Sequence, residues 1–216
     1  MRYELLVFDW DGTLIDSADA IVQSIQAACR DLDLPVPDDA RASHVIGLGL
    51  RDALAYAIPG LPIDEYGRVV ERYRLHFLAR DAGIPLFAGA GAMLATLRGR
   101  GHVLAIATGK SSTGLSRALD KTGLRSLFTS SRCADQCAPK PAPDMLLELM
   151  AELGTGKTNT LMIGDTVHDL QMAASAGVPA VAVSYGAHAK AKLASLAPLA
   201  CLDSVDELTE WLTRNA

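Results

Sequence analysis

The chain has 216 residues, half of them hydrophobic, 21% charged and 5% aromatic, with a formal net charge of −5 at pH 7. That length suits one or two domains of ordinary size, the composition excludes a disordered or fibrous chain, and an acidic balance without a dense Lys/Arg stripe removes the electrostatic source of nucleic-acid binding. No run approaches the ~18 apolar residues of a membrane span and no charged-then-apolar leader opens the chain, so a cytoplasmic protein with neither nucleic acid nor membrane as partner is expected.

The first predicted strand, Tyr3 to Phe8, runs straight into Asp9-Trp10-Asp11. Carboxylates at the C-terminal exit of a parallel strand stand where ligands enter α/β sheets, and two of them two residues apart point the same way while the chain stays extended. Two close carboxylates push one pKa up unless a divalent cation lets both remain ionised, and such a cation also holds a phosphate beside them. The next stretch, residues 15–85, shows helical periods over Ala20 to Leu32, Leu50 to Ala57 and Tyr66 to Ala82, broken by Pro35, Pro37, Pro59, Gly60 and Pro62, and no strand. It reads as an α-helical cap domain inserted after the first strand, with hinges near Ile15 and Ile84-Pro85 and its first helix capped by Asp16 or Ser17. Residues 1–14 and 86–216 remain as the Rossmann-like core.

In that core, helical patterns over Gly89 to Gly99, Ser112 to Thr122, Asp144 to Leu153 and Val167 to Ala176 alternate with strands at Val103 to Ala107, Leu127 to Ser130, Leu161 to Ile163 and Ala180 to Val183. The alternation predicts an α/β fold with a doubly wound parallel sheet. Cys29, Cys133, Cys137 and Cys201 have no zinc-type spacing and read as reduced thiols, with Cys133 and Cys137 the pair close enough for a redox or metal role. Gly154-Thr155-Gly156-Lys157-Thr158 suggests a phosphate loop, but Ala151 stands where its first glycine is required, so a helix-ending turn is expected. Gly47-Leu48-Gly49 lacks the third glycine of a dinucleotide fingerprint, since Asp52 stands there.

Four loops at the ends of predicted strands carry the chemistry: Asp9 to Asp11, Thr108-Gly109-Lys110, the Pro-rich loop around Lys140, and Gly164-Asp165-Thr166-Val167-His168-Asp169. Acids, a hydroxyl and an ammonium meeting at one sheet edge suit phosphate transfer. In this order and spacing they resemble the haloacid dehalogenase superfamily over nearly the whole chain, and most closely its phosphoglycolate phosphatase and β-phosphoglucomutase branch. The resemblance implies Asp9 as nucleophile, forming an aspartyl-phosphate, and Asp11 as general acid and base. It implies a Mg²⁺ site from Asp9, Asp165 and the main-chain carbonyl of Asp11, with Asp169 supporting it or adding a ligand. Thr108 and the Gly109 amide would hold phosphoryl oxygens, and Lys140 would neutralise charge on Asp9 and substrate. His168 is expected to be a supporting or surface residue.

Asp11 is the acid/base kept by phosphatases and phosphomutases that this chain resembles, which disfavours carbon–halogen and carbon–phosphorus cleavage. The hinge histidine of β-phosphoglucomutases would fall at Ile21, so water is the expected acceptor. The segment Gly47 to Leu54 is similar to the cap segment of phosphoglycolate phosphatases, which nominates Arg51, and after it His44, to meet a substrate carboxylate. Many of those enzymes carry Thr-Asn-Lys where this chain has Thr108-Gly109-Lys110, removing a side chain near the phosphate. The expected activity is a Mg²⁺-dependent phosphatase acting on a small phosphorylated metabolite, phosphoglycolate-like or a sugar phosphate, as a monomer or weak homodimer. The alternatives are a phosphomutase and a non-catalytic regulator that binds a phosphorylated ligand.

Overall fold

In the computed structural model, which describes residues 2–216, the strands β1 (Leu5–Phe8), β2 (Val103–Thr108), β3 (Ser130–Cys133), β4 (Thr160–Gly164), β5 (Ala180–Val183) and β6 (Cys201–Leu202) form one sheet. All its pairings are parallel, in the order β3-β2-β1-β4-β5-β6. The chain winds outward from β1 through β2 to β3 and then returns to place β4 on the other side of β1. That reversal opens a crevice beyond the carboxyl ends of the central strands, where ligands of open α/β sheets bind. Phe8 is level with Ile106 on one neighbour and Ile163 on the other, so the residues after all three strands emerge together.

Both faces of the sheet are covered, which is why its central strands read as unbroken apolar runs. Alternate residues serve opposite faces. Leu5, Val7, Ala105 and Met162 pack under α7 (Asp144–Leu153) and α8 (Val167–Ala176). Leu6, Phe8, Ile106 and Ile163 join the core formed with α5 (Ala90–Gly99), α6 (Ser112–Thr122) and α10 (Val205–Asn215). The short α9 (Lys190–Ala194) closes the β5–β6 side through Leu193.

Between β1 and α5 the chain is helical: α1 (Ala18–Asp31), α2 (Asp39–His44), α3 (Leu50–Ala57) and α4 (Tyr66–Asp81), with α1 packed along α4. The outgoing and returning segments are laced together. Asp16 N–H donates to the Pro85 carbonyl (3.0 Å), Phe87 N–H donates to Leu14 (3.1 Å), and Ile15 bridges Leu86.

The structure departs from the sequence expectations in several places. β3 lies at Ser130–Cys133 and not at Leu127 to Ser130; it pairs only with β2, buries only Cys133, and carries no apolar run to mark it. β6 has two residues, and α2 and α9 six and five, too short for a period to register. α10 was also unexpected, though it buries Val205, Leu208 and Leu212 on one face and is capped by Ser204. Ser17 occupies the position before α1 but makes no cap bond; its hydroxyl is used elsewhere. Gly154, with φ +66°, ends α7 as the helix-ending turn requires. Among the described residues no helix is long and apolar enough to cross a membrane.

Candidate active site

Asp9 follows β1, Thr108 ends β2, and Asp165 follows β4, so three adjacent strands deliver three of the residues singled out above to one edge. All three are fully buried, as are Lys140, from the loop between β3 and α7, and Asp169, from the first turn of α8. Carboxylate oxygens of Asp9, Asp165 and Asp169 lie within 4.8 Å of one another. Lys140 Nζ stands between two of these acids, 2.5 Å from Asp9 Oδ1 and 2.6 Å from Asp169 Oδ1.

Asp165 is held by its surroundings. Its Oδ1 accepts from the Thr13 hydroxyl (2.8 Å) and its Oδ2 from the Ala187 amide (2.7 Å). Gly12, at φ +82°, and Gly186 bring backbone so close that a Cβ on either would overlap the carboxylate. Asp169 is held through one oxygen: Oδ2 accepts from Thr166 N–H (3.0 Å) and its hydroxyl (2.7 Å), and Oδ1 faces Lys140. Thr166 and Asp169 form a capping box that starts α8, so the helix cap aims the acid that pairs with Lys140. Asp169 Oδ2 is thus taken up by the helix cap, while Oδ1 is buried, like Asp9 Oδ2, and stands against the Lys140 ammonium.

Asp11 points away from this cluster. Its Oδ1 accepts from the Ser17 hydroxyl (2.7 Å) and lies 2.9 Å from Lys110 Nζ, so the start of α1 orients it. Lys110 N–H in turn donates to Thr108 Oγ1 (3.2 Å). Asp11, Gly109 and Lys110 border a cavity of about 570 Å³ between α1, α3, α4 and α6. Arg51 does not reach it: the side chain is exposed on α3, while Arg74 and Arg117 line the cavity instead. The structure thus does not bring Arg51 to the site. On α3 the cavity is faced by Leu50, Ala53 and Leu54, one side of a helix whose other side carries Arg51 outward.

The segment from His44 to Gly49 is pressed onto the loops that carry the site. The His44 carbonyl accepts from His168 Nε2 (2.8 Å) and His188 Nε2 (3.2 Å), and His188 Nδ1 accepts from Val167 N–H (3.0 Å), which sets its tautomer. Burial lowers all three imidazoles, His188 to about 4, with the neighbouring imidazoles adding to the effect for His44 and His188, so they are neutral at pH 7. His168 is buried, which excludes the surface alternative and leaves the supporting one, and His44 is fastened into this cluster and does not line the cavity. A Cβ at Gly109 would lie 2.5 Å from the Leu48 carbonyl oxygen and 2.6 Å from that of Gly47. The side chain missing from position 109 is replaced by the backbone of residues 47–48. Sequence reasoning missed Thr13, Ala187 and His188, gave Ser17 only a capping role, and named His44 and His168 without the cluster they form. Thr13 and Ser17 lie in the first loop beside the two aspartates, and their hydroxyls at fixed offsets were the available signal; the others had none.

The four cysteines are unpaired. Burial pushes the Cys133 thiol up to about 12 and raises Cys137 as well, the opposite of what a reactive thiolate needs.

A divalent cation fits the acid cluster. Asp9 Oδ2 is buried and accepts no hydrogen bond from the described residues, and with all three acids ionised one ammonium would leave two negative charges uncompensated. Burial raises Asp9 well above the ordinary carboxyl value, Asp169 and Asp165 push the same way, and Lys140 opposes them. Asp165 is raised to about 7, first by burial and then by Asp169. Its folded-state value exceeds the unfolded one, so without metal the protein loses stability as pH rises from about 4 through 7, and a cation that binds the ionised form restores it. Saturating Mg²⁺ is therefore expected to raise Tm by an amount that grows between about pH 5.5 and 8, measurable by scanning calorimetry. An increment independent of pH would remove Asp165 from the metal site.

A family model described as "Haloacid dehalogenase-like hydrolase" matches residues 6–183. The chain is 36% identical over 212 residues to "Probable phosphatase IndB" of Dickeya dadantii, covering 94% of this chain and 91% of that one. It is 34% identical over 217 residues to the phosphoglycolate phosphatase of Rhodospirillum rubrum, covering 96% and 90%. Among solved structures, a hydrolase from Pseudomonas syringae superposes with a TM-score of 0.90 at 22% identity, covering 100% of both chains, a likeness of fold.

Proposed function

This chain belongs to the haloacid dehalogenase-like hydrolase family, and from that premise we propose that it is a Mg²⁺-dependent phosphatase of small phosphomonoesters that works through an aspartyl-phosphate at Asp9. The observation that carries the reading is the orphaned Asp9 Oδ2. It is a buried carboxylate oxygen at the exit of the central strand, with Lys140 fixed on its twin and an acid cluster beside it.

Asp9, Asp165 and the main-chain carbonyl of Asp11 would hold the ion, a hard oxygen set suited to Mg²⁺. When bound, it supplies positive charge that keeps Asp9 ionised and draws the phosphoryl oxygens to it. Asp9 attacks phosphorus, and the bond between phosphorus and the ester oxygen breaks. Asp11, bordering the cavity on the leaving-group side, gives its proton to the departing alkoxide and then takes one from the water that hydrolyses the acyl phosphate. The pairing of Asp11 with Lys110 and Ser17 holds its carboxylate in place between these two transfers. Thr108 and the Gly109 amide cradle the phosphoryl oxygens, and Lys140 holds Asp9 at the orientation of attack. Residues 15–85 act as a lid whose 44–49 segment seals the site from bulk water. Ile21, in place of a histidine, keeps water rather than a second hydroxyl as the acceptor.

Phosphate release from a panel of phosphomonoesters, with Mg²⁺ and with EDTA, tests the reading. Release with metal alone is the expected result. Transfer of the phosphoryl group to another sugar hydroxyl without free phosphate would make the protein a mutase, and binding without turnover would make it a regulator.

Gly109→Ala probes the seal. The added Cβ meets backbone rather than a movable side chain, and overpacking of this kind costs about 1–3 kcal/mol. Charged to closure, that lowers kcat/KM by roughly tenfold or more while the metal-induced rise in Tm persists. Unchanged kinetics would show that the 47–48 segment does not need to seat on Gly109 during turnover.

A further inference from the structure

The cavity beside Asp11 carries information about the leaving group. Its volume, about 570 Å³, is that of pockets that enclose drug-sized ligands, and a two-carbon acid occupies a small part of such a space. Its deep wall is apolar: Ile21, Ile25, Val45, Leu54 and Phe77 all face it and are nearly or fully shielded from solvent. The cation that reaches this wall, the Lys110 ammonium over Phe77, is already paired with Asp11, and an anion against the rest of the wall loses its hydration without compensation.

An aromatic shelf forms one side. The rings of Tyr73 and Phe77, one turn apart on α4, lie 5.8 Å apart and 22° from parallel, and Lys110 Nζ sits 4.6 Å from the Phe77 ring centroid. Lys110 is also the residue that pairs with Asp11, so the shelf begins where the ester oxygen departs. Of the two arginines on the cavity, Arg117 is held by Asp81 at 3.1 Å and Arg74 is exposed at the rim, away from the deep wall. Leu78, the next position on the same helix, lines the cavity yet is 47% exposed, so the apolar surface continues out to solvent and leaves a mouth there.

We propose that the preferred substrate is the phosphate monoester of a bulky, ring-bearing, largely apolar alcohol, seated on the Tyr73–Phe77 shelf against the Ile21, Ile25 and Leu54 wall, and that a short carboxylated ester such as phosphoglycolate is a poor one. This rests on the phosphatase reading and narrows it. Apolar contact with that wall selects size, since each methylene buried is worth roughly fourfold in binding. The shelf selects flat rings, which stack on aromatic faces in offset or edge geometry.

The test is kcat/KM with Mg²⁺ for four esters of alkyl alcohols: 2-naphthylmethyl, benzyl and ethyl phosphate, and phosphoglycolate. Alkyl esters keep the basicity of the leaving oxygen nearly constant, so that differences report binding in the cavity. The expected order runs from naphthylmethyl down to phosphoglycolate, with naphthylmethyl at least about a hundredfold above ethyl phosphate, as three or four buried methylene equivalents imply. Phe77→Ala is expected to shrink the naphthylmethyl-to-ethyl ratio about tenfold. Leu78→Glu, a change at an exposed position that leaves the core packed, is expected to shrink it as well. Ethyl phosphate or phosphoglycolate turned over as well as the naphthylmethyl ester overturns the proposal and leaves the phosphatase standing. No phosphate from any of the four, nor from acetyl phosphate, overturns the phosphatase reading and the proposal with it.

Discussion

Asp9→Asn lowers kcat by about ten-thousand-fold or more while the protein stays folded. The amide is no nucleophile toward phosphorus, and removing one member of a group that acts as a unit costs nearly all of its rate enhancement. The site also loses one of its three clustered charges. Burial, together with Asp169 and Asp165, raises Asp9 well above the ordinary carboxyl value, with Lys140 opposing them, so the carboxylate is costly in the metal-free protein and the neutral amide avoids that cost. Its Tm without metal therefore remains within a few degrees of the parent or above it. The metal-induced rise in Tm shrinks, because the orphaned Oδ2 is gone. Steady-state phosphate release and calorimetry on the same preparation read both effects. Turnover within tenfold of the parent would place the nucleophile elsewhere.

Lys140→Met produces the largest change in stability. Lys140 is fully buried, and although burial pushes its ammonium down, Asp169 and Asp9 more than reverse this and hold it above the ordinary lysine value. Removing one partner of a buried ion pair costs about 3–5 kcal/mol, since the remaining charge is left without compensation. Here two carboxylates lose their common partner. A loss of that size lowers Tm by roughly 10 °C in a chain of this length. Mg²⁺ returns part of it by supplying charge from the other side of Asp9, so the variant's rise in Tm with metal exceeds the parent's. Thermal melts with and without Mg²⁺ check both statements. A Tm within a degree or two of the parent would mean that the three acids are not ionised together in the folded protein.

What the sequence made legible follows from how each feature is encoded. The strands that deliver Asp9, Thr108 and Asp165 are buried on both faces, so their apolar runs stand out, and each ends on or is directly followed by a polar residue that packing does not ask for. Lys140 was legible only in company: a lysine between prolines is ordinary in a loop, and becomes informative when three acids converge on the same sheet edge. Arg51 shows the limit. Its chemistry suited a carboxylate, but its direction depends on the rotation of α3, which is set by which of Leu50, Ala53 and Leu54 face the cavity. The contacts that aim the site, Ser17 on Asp11 and Ala187 on Asp165, join segments whose spatial meeting no local pattern reports. The same holds for the Tyr73–Phe77 shelf, which lies on a helix with polar residues on most sides and acquires meaning only when α4 closes over Lys110.

The central claim is that the phosphoryl group passes through Asp9. It is tested most directly by quenching the protein in acid during turnover of acetyl phosphate with Mg²⁺, reducing it with borohydride and mapping its peptides. An aspartyl-phosphate is reduced to homoserine, so homoserine at position 9, absent without substrate and absent from Asp9→Asn, is the predicted result. Steady phosphate release with position 9 unmodified, or homoserine at Asp11 or Asp165 instead, would contradict the account.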